Sequence, residues 1–331
     1  MRSVVPPWPV KTRELHNHHL DSTAWNQFEF RDDDIVISSY AKSGTRWLQQ
    51  IVGDLLFDGA EDLPVSRMSP WLDLRIQPAE VKLAVLAGQT HRRFIETHLP
   101  VDALVYSPRA RYIYVACDGR DVAWSLYDDH AEASSLWYQL LNGTPGRVGP
   151  PIGPPDPSIR QYFLDWVEYD GYPFWSFWEN VASWWQIRHL PNLLLLHLGD
   201  LKRDLPGQIR RIAGFLDIPI DEVRFPLILE HCSLACMKTA GSTVPLGPVI
   251  WDGGLRSLIN QGGGKGRWRD MLTREDCLWY EALALSHLGT ECSTWLAHGA
   301  MPSWSARPRG NGQRGHARSG NDNGALARMM C

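Results

Sequence analysis

Lys42, Ser43, Gly44 and Thr45 bring an ammonium, two hydroxyls and a glycine into four consecutive positions. If a helix starts just beyond them, its leading N–H groups and dipole complete an anion cradle. Glycine lets the backbone approach the anion closely. A nucleotide triphosphate loop of the usual kind places Lys after its last Gly and carries an earlier Gly. Here Lys precedes Gly and the early Gly is absent, so the order argues against an ATP-using kinase. Cys232 and Cys236 stand four apart, but no nearby His or second Cys pair completes a zinc site. The six cysteines are scattered and are expected to be reduced.

The elements that must position this turn are legible around it. Asp34-Ile35-Val36-Ile37-Ser38-Ser39-Tyr40 is a β-branched run that predicts a buried parallel strand, and residues 47–57 predict an amphipathic helix. The pattern repeats: a strand over 111–116, the polar turn 117–121, and a helix from Val122 to Tyr127. A third strand is expected over 192–197, followed by a helix containing Ile209, Ile212, Ala213 and Phe215. Alternating strands and helices imply an α/β fold, a parallel sheet covered on both faces.

The chain has 331 residues, 44% hydrophobic and 21% charged, with net charge −4. That composition describes a globular protein with no basic field for nucleic acid, so any anion site must come from a few placed groups. No apolar run reaches membrane-spanning length, and residues 1–8 lack a signal-peptide core; a soluble, cytoplasmic protein is expected. Tryptophan is frequent, at 16 residues. Trp166, Trp175, Trp178, Trp184 and Trp185 form either a core face or walls of an apolar acceptor pocket. The Gly/Pro-rich stretch 142–157 is either a surface excursion or a lid. Beyond Ser303 the composition predicts a disordered tail. Histidines 16, 18, 19 and 197 sit in no motif and read as structural.

Lys42-Ser43-Gly44-Thr45 after a strand, closed by Trp47, resembles the 5′-phosphosulfate loop of the cytosolic family of sulfotransferases that use 3′-phosphoadenosine-5′-phosphosulfate (PAPS). Thr97-His98-Leu99-Pro100 is similar to that family's segment bearing the catalytic base. Val115 to Ser125, ending Asp121-Val122-Ala123-Trp124-Ser125, resembles its 3′-phosphate strand–turn–helix. His231-Cys232-Ser233-Leu234 through Met237-Lys238 resembles an adenine-side segment. Gly266-Arg267-Trp268-Arg269-Asp270-Met271-Leu272-Thr273 resembles the late glycine–tryptophan motif in a bacterial-looking form. The five pieces fall in order over about 28–298.

The resemblance implies a P-loop-like parallel β-sheet flanked by helices, a sulfotransferase domain over 28–298, an N-terminal segment 1–27 and a tail 303–331. It implies sulfuryl transfer from PAPS to a hydroxyl of a small apolar acceptor (alcohol, phenol or sterol-like), without a metal. His98 is then the base and Lys42 stabilises the leaving phosphate. Lys42, Ser43, Gly44 and Thr45 hold the 5′ end, Trp47 stacks on adenine, and Ser125 binds the 3′-phosphate.

The departures from the family pattern are mostly of one kind. Cys117 stands where an Arg pairs with the 3′-phosphate, Glu96 where Lys is common, and Gln261-Gly262 near the late basic pair; Arg46 and Ala41 also differ. A charged hydrogen bond contributes about 1.5–3 kcal/mol, so losing several weakens donor binding roughly a thousandfold without compensation. Lys265 and Arg267, on either side of the cofactor-binding Gly266, are the preferred substitutes, with Arg120 and Arg46 nearby. The alternative expectation is a sulfotransferase-fold protein that binds nucleotide or a partner without turnover.

Overall fold

The computed structural model describes residues 7–240 and 266–299. Lys265, Gln261-Gly262 and the stretch 303–331 lie outside the described residues.

Four short strands form one parallel sheet: β1 (Ile35–Ser39), β2 (Phe94–Thr97), β3 (Arg111–Ala116) and β4 (Leu193–His197), in the order β2-β1-β3-β4. All five residues of β1 are buried, as are those of β4, which is why each opens on consecutive apolar residues, Ile35 to Ile37 and Leu193 to Leu196, rather than alternating ones. The registers align the strand ends: Ser38 lies between Thr97 and Tyr114, and Ala116 pairs with His197. The turns after β1, β2 and β3 therefore leave from one edge. From β1 the chain goes to β2 on one side, and β3 is followed by β4 on the other. The crevice at such a switch point is where open α/β sheets bind ligands.

Between β1 and β2 run α1 (Thr45–Leu56), α2 (Val65–Met68) and α3 (Ala79–Gly88). Between β3 and β4 run α4 (Gly119–Ala131), α5 (Ser135–Gly143), α6 (Ile159–Glu168) and α7 (Phe177–Gln186). After β4 come α8 (Leu198–Arg203), α9 (Leu205–Leu216), α10 (Phe225–His231) and α11 (Leu234–Ala240). The last helical stretch, α12 (Arg274–His298), is broken at Gly289, whose φ is 71°.

On one face, Leu48, Ile51 and Val52 of α1 pack with Ile209, Ile212, Phe225 and Ile228 over Ile35, Ile37, Ile113 and Leu196. Leu48 and Ile51 are fully buried, and truncating either to Ala costs about 2–5 kcal/mol. This packing sets the height of the Lys42 turn above the sheet. On the other face, the Trp184 indole stacks on Tyr114 at 5.4 Å. Of the tryptophan cluster, Trp166, Trp178, Trp184 and Trp185 are buried in the core. Trp25, Leu20 and Ala24 are buried too, so the chain before residue 28 contributes to the folded body. Among the described residues no helix is long and apolar enough to cross a membrane.

Candidate active site

The turn after β1 reverses the chain through two left-handed residues, Lys42 (φ 67°) and Gly44 (φ 110°). Gly44 is required twice over, because a Cβ there would lie 2.8 Å from Leu198 Cδ1. Gly44 is also the N-cap of α1. No side chain caps this helix, and its first turn carries no acidic residue. Its leading N–H groups therefore point out of the turn with no carboxylate of the helix itself in the way. The Lys42 ammonium donates to Asp129 Oδ1 at 3.0 Å. Thr45 Oγ1 meets Ser39 Oγ at 2.5 Å, and the buried Ser43 hydroxyl lies against the Cys117 thiol.

His98 leaves the end of β2 on a backbone pinned from both sides: its N–H donates to Asp73 Oδ2 at 3.2 Å, and its carbonyl accepts from Asn180 at 2.9 Å. The ring is 4% exposed. Nδ1 lies 2.8 Å from the Ser39 carbonyl, which can only accept, so Nδ1 carries hydrogen and Nε2 holds the lone pair of the neutral ring. Nε2 faces Glu96 Oε1 at 3.3 Å, and the other carboxylate oxygen accepts from Gln49 Nε2 at 2.8 Å. Burial works to lower the His98 pKa. The hydrogen bond and charge of Glu96, the charge of Asp73 and the Ser39 carbonyl outweigh it and hold the imidazole above its ordinary value.

Lys42, Gly44, Thr45, Arg46, Glu96 and His98 all line one cavity of about 560 Å³. Four aromatic side chains join them in its wall: Trp71, Trp137, Phe174 and Trp175. Trp71 lies edge-on to His98 at 4.6 Å and Trp175 stacks on it at 5.8 Å. Trp137 belongs to a small cluster with Leu74, Leu141 and Ile152. Ile152 lies in the Gly/Pro-rich stretch, so this part of the loop backs the cavity wall. Lys82 of α3 also borders the space; burial draws its pKa down to about 8 against the pull of Asp73, Asp21 and Glu80. Trp47 does not line this cavity. It is buried on α1, its indole N–H donating to the Cys232 carbonyl at 2.7 Å.

The turn after β3 has a different character. Asp118 caps α4 and accepts from the Arg120 N–H, Nε and Nη2 at 2.9, 3.0 and 2.7 Å. Arg120 also reaches Glu281 at 2.9 Å and lies over the Trp268 ring at 4.0 Å. The Gly119 N–H donates to the Tyr280 hydroxyl at 2.9 Å. Cys117 is buried, and burial together with Asp121 and Asp118 pushes its thiol pKa up, so it stays neutral. Farther along, Asp121 accepts from the Gly266 N–H at 2.7 Å, Asp128 pairs with Arg267, and Asp129 holds Lys42. With Ser125 half-buried between them, positions 121, 125, 128 and 129 share one face of α4. Lys42, Ser125, Gly266 and Arg267 are thereby gathered along a single helix.

The Sulfotransferase domain family model matches residues 32–277. The chain belongs to the sulfotransferase family. A glycolipid sulfotransferase of Mycobacterium bovis (strain BCG / Pasteur 1173P2) is 33% identical over 298 residues, covering 82% of this chain and 90% of that one. The crystal structure of retinol dehydratase in a complex with retinol and PAP superposes with a TM-score of 0.62 at 25% identity, over 80% of this chain and 84% of that one. Mouse sulfotransferase SULT7A1 complexed with PAP has a TM-score of 0.64 at 21% identity, over 84% and 92%, and so shares the fold.

Within this sulfotransferase, the turn after β1 and the His98 segment meet as the motifs imply. Of the basic groups named as substitutes, Arg46 lines the cavity, while Arg120 is held by Asp118 and Glu281 and Arg267 by Asp128. Sequence reasoning missed Gln49, Asp129, His19, Trp71 and Phe174. None sits in a motif; each reaches the cavity from a separate element, and His19, read as structural, is one of its walls.

Proposed function

We propose that this sulfotransferase moves the sulfuryl group of PAPS onto the hydroxyl of a small apolar acceptor, with His98 as general base and Lys42 stabilising the leaving phosphate. The reading is carried by one observation: an ammonium at a strand-to-helix turn and an imidazole off the adjacent strand line the same cavity. It is supported by the PAP in the retinol dehydratase structure and by the apolar acceptors named for similar proteins, a glycolipid and retinol.

The donor set fits the group. Lys42, Ser43, Gly44, Thr45 and the first N–H groups of α1 suit the 5′-phosphosulfate, since uncapped N–H groups and an ammonium both seek an anion. Ser125, Gly266 and Arg267 would hold the 3′-phosphate with Lys265 beyond them, and Trp47 the adenine side. When bound, PAPS supplies the activated sulfuryl group. His98 Nε2 takes the proton of the acceptor hydroxyl as its oxygen bonds to sulfur. Lys42 meets the charge left on the phosphate oxygen when the sulfur–oxygen bond breaks. Trp71 and Trp175 fix the imidazole plane and present apolar surface to the acceptor.

Glu96 favours a second reading, nucleotide binding without turnover, because its carboxylate occupies the nitrogen that must take the proton. One experiment separates the two. PAP is titrated by calorimetry, then sulfuryl transfer is assayed on a panel of phenols and alcohols with wild type and His98→Ala. We expect His98→Ala to bind PAP nearly as wild type and to lose about 10²–10⁴-fold in transfer. Wild-type rates in the variant would remove His98 as the base, and PAP binding with no transfer to any acceptor would select the second reading.

A further inference from the structure

Besides His98, the cavity is bordered by a second imidazole, His19, whose hydrogen-bonding state is set by its neighbours. The segment that carries it is firmly built. Asn17 Oδ1 accepts from the N–H groups of His19 and Leu20 at 2.8 and 2.7 Å. Arg75, itself buried, donates to the carbonyls of Asn17 and His18 at 3.1 and 2.8 Å, and its own N–H donates to the His19 carbonyl at 2.6 Å. The ring is 6% exposed and is surrounded by Phe174, Trp137, Trp175 and Trp71 at centroid distances of 5.5 to 6.3 Å. Trp71 and Trp175 are the same indoles that border His98.

The proton positions follow by elimination. His18 Nε2 meets the Pro173 carbonyl, which can only accept, so that nitrogen carries hydrogen. In the neutral ring His18 Nδ1 then holds the lone pair. His19 Nδ1 stands 2.5 Å from it and must supply the hydrogen. His19 Nε2 is left as a lone pair. Burial, with the nearby His18, His130, His98 and Arg75, holds His19 well below its ordinary pKa, so the ring is neutral at physiological pH. A neutral imidazole fixed in this tautomer accepts a hydrogen bond at Nε2 and cannot donate one there.

We infer that His19 Nε2 selects acceptors carrying a second hydrogen-bond donor: the substrate is a diol or amino alcohol whose apolar body lies along Trp71 and Trp175, with the sulfated hydroxyl at His98 and the second hydroxyl or amine at His19. The inference rests on the reading of His98 as the base. An ether or ketone at the same point presents lone pair to lone pair and leaves a buried polar atom unpaired, which costs about 1–3 kcal/mol.

The test uses the full chain, PAPS and a series of straight-chain α,ω-diols of increasing length, each against its monomethyl ether and its ω-keto alcohol. At the length that spans the two imidazoles, kcat/KM for the diol should exceed that for the ether by about tenfold to a hundredfold. His19→Phe should bring that ratio to about one. His18→Phe frees the His19 ring to adopt the other tautomer, so the ratio should shift toward the ether and ketone, which a packing role alone would not produce. Thermal melting checks that both variants fold. Calorimetric binding of the same compounds and nitrogen NMR of the His19 imidazole need no turnover. If no alcohol is sulfated, the proposed reaction fails, while these two measurements still decide the role of His19. Equal diol and ether affinities at every length, or a His19 ring with hydrogen on Nε2, would overturn it.

Discussion

The turns after β1 and β3 are the same device, a parallel strand feeding a helix through a tight polar bend, yet one is open and the other closed. At α1 the cap is Gly44, no side chain engages the leading N–H groups, and Lys42 arches beside them. At α4 the corresponding groups are already satisfied by Asp118 and the Tyr280 hydroxyl, and the cation next to them, Arg120, is spent on Asp118 and Glu281. A helix N-terminus binds an external anion only when the protein's own carboxylates leave it unoccupied. In the proposed reading, the 5′ end of the donor therefore falls to backbone and a lysine. That reading leaves the 3′ end to the flank of α4, where Ser125, Gly266 and Arg267 gather among acidic residues.

The contrast can be broken first at its open end. Lys42→Ala removes the only full charge carried by the turn between Ala41 and Thr45, and kcat/KM for PAPS should fall about 10²–10³-fold with weakened PAP affinity in calorimetry. At the closed end the effect should appear in stability instead. Asp118→Ala strips the α4 cap and leaves the buried Arg120 with Glu281 as its ion-pair partner, costing about 2–4 kcal/mol in denaturant unfolding, an effect that added PAP should offset only through its own binding energy. Between the two lies the His98–Glu96 pair. Protonated His98 cannot act as a base, so transfer should rise with pH through its raised pKa; Glu96→Gln should move that acid limb to lower pH, by about one unit, in the pH profile of kcat/KM. The smallest expected effect is at Arg267: Asp128→Asn releases it from its ion pair, and PAP should bind about two- to fivefold tighter if the guanidinium serves the 3′-phosphate.

Several elements were legible because they are contiguous. The expected strand over 34–40 corresponds to β1, the strand over 111–116 to β3 and that over 192–197 to β4, each built on at least three consecutive buried aliphatic or aromatic residues. β2 escaped notice. It is four residues long, follows two arginines and carries Glu96, so its apolar signal amounts to Phe94 and Ile95. It is nevertheless the strand that delivers His98. The helix expected from Val122 to Tyr127 extends to Gly119–Ala131, because Asp118 caps it earlier than its apolar pattern begins.

By itself, the sequence determined the α/β class, the family and the order Lys-Ser-Gly-Thr at a strand-to-helix turn, since all of these reside in neighbouring residues. Only the tertiary structure decided what each charge faces: Asp129 on Lys42, Glu96 on His98, Asp128 on Arg267, and His18 behind His19. All but the second and last of these join residues far apart in the chain. Even those two depend on neighbours brought from elsewhere, Gln49 for Glu96 and Pro173 for His18. A side chain's protonation and reach follow from its surroundings, and the surroundings are created by strand order and helix packing.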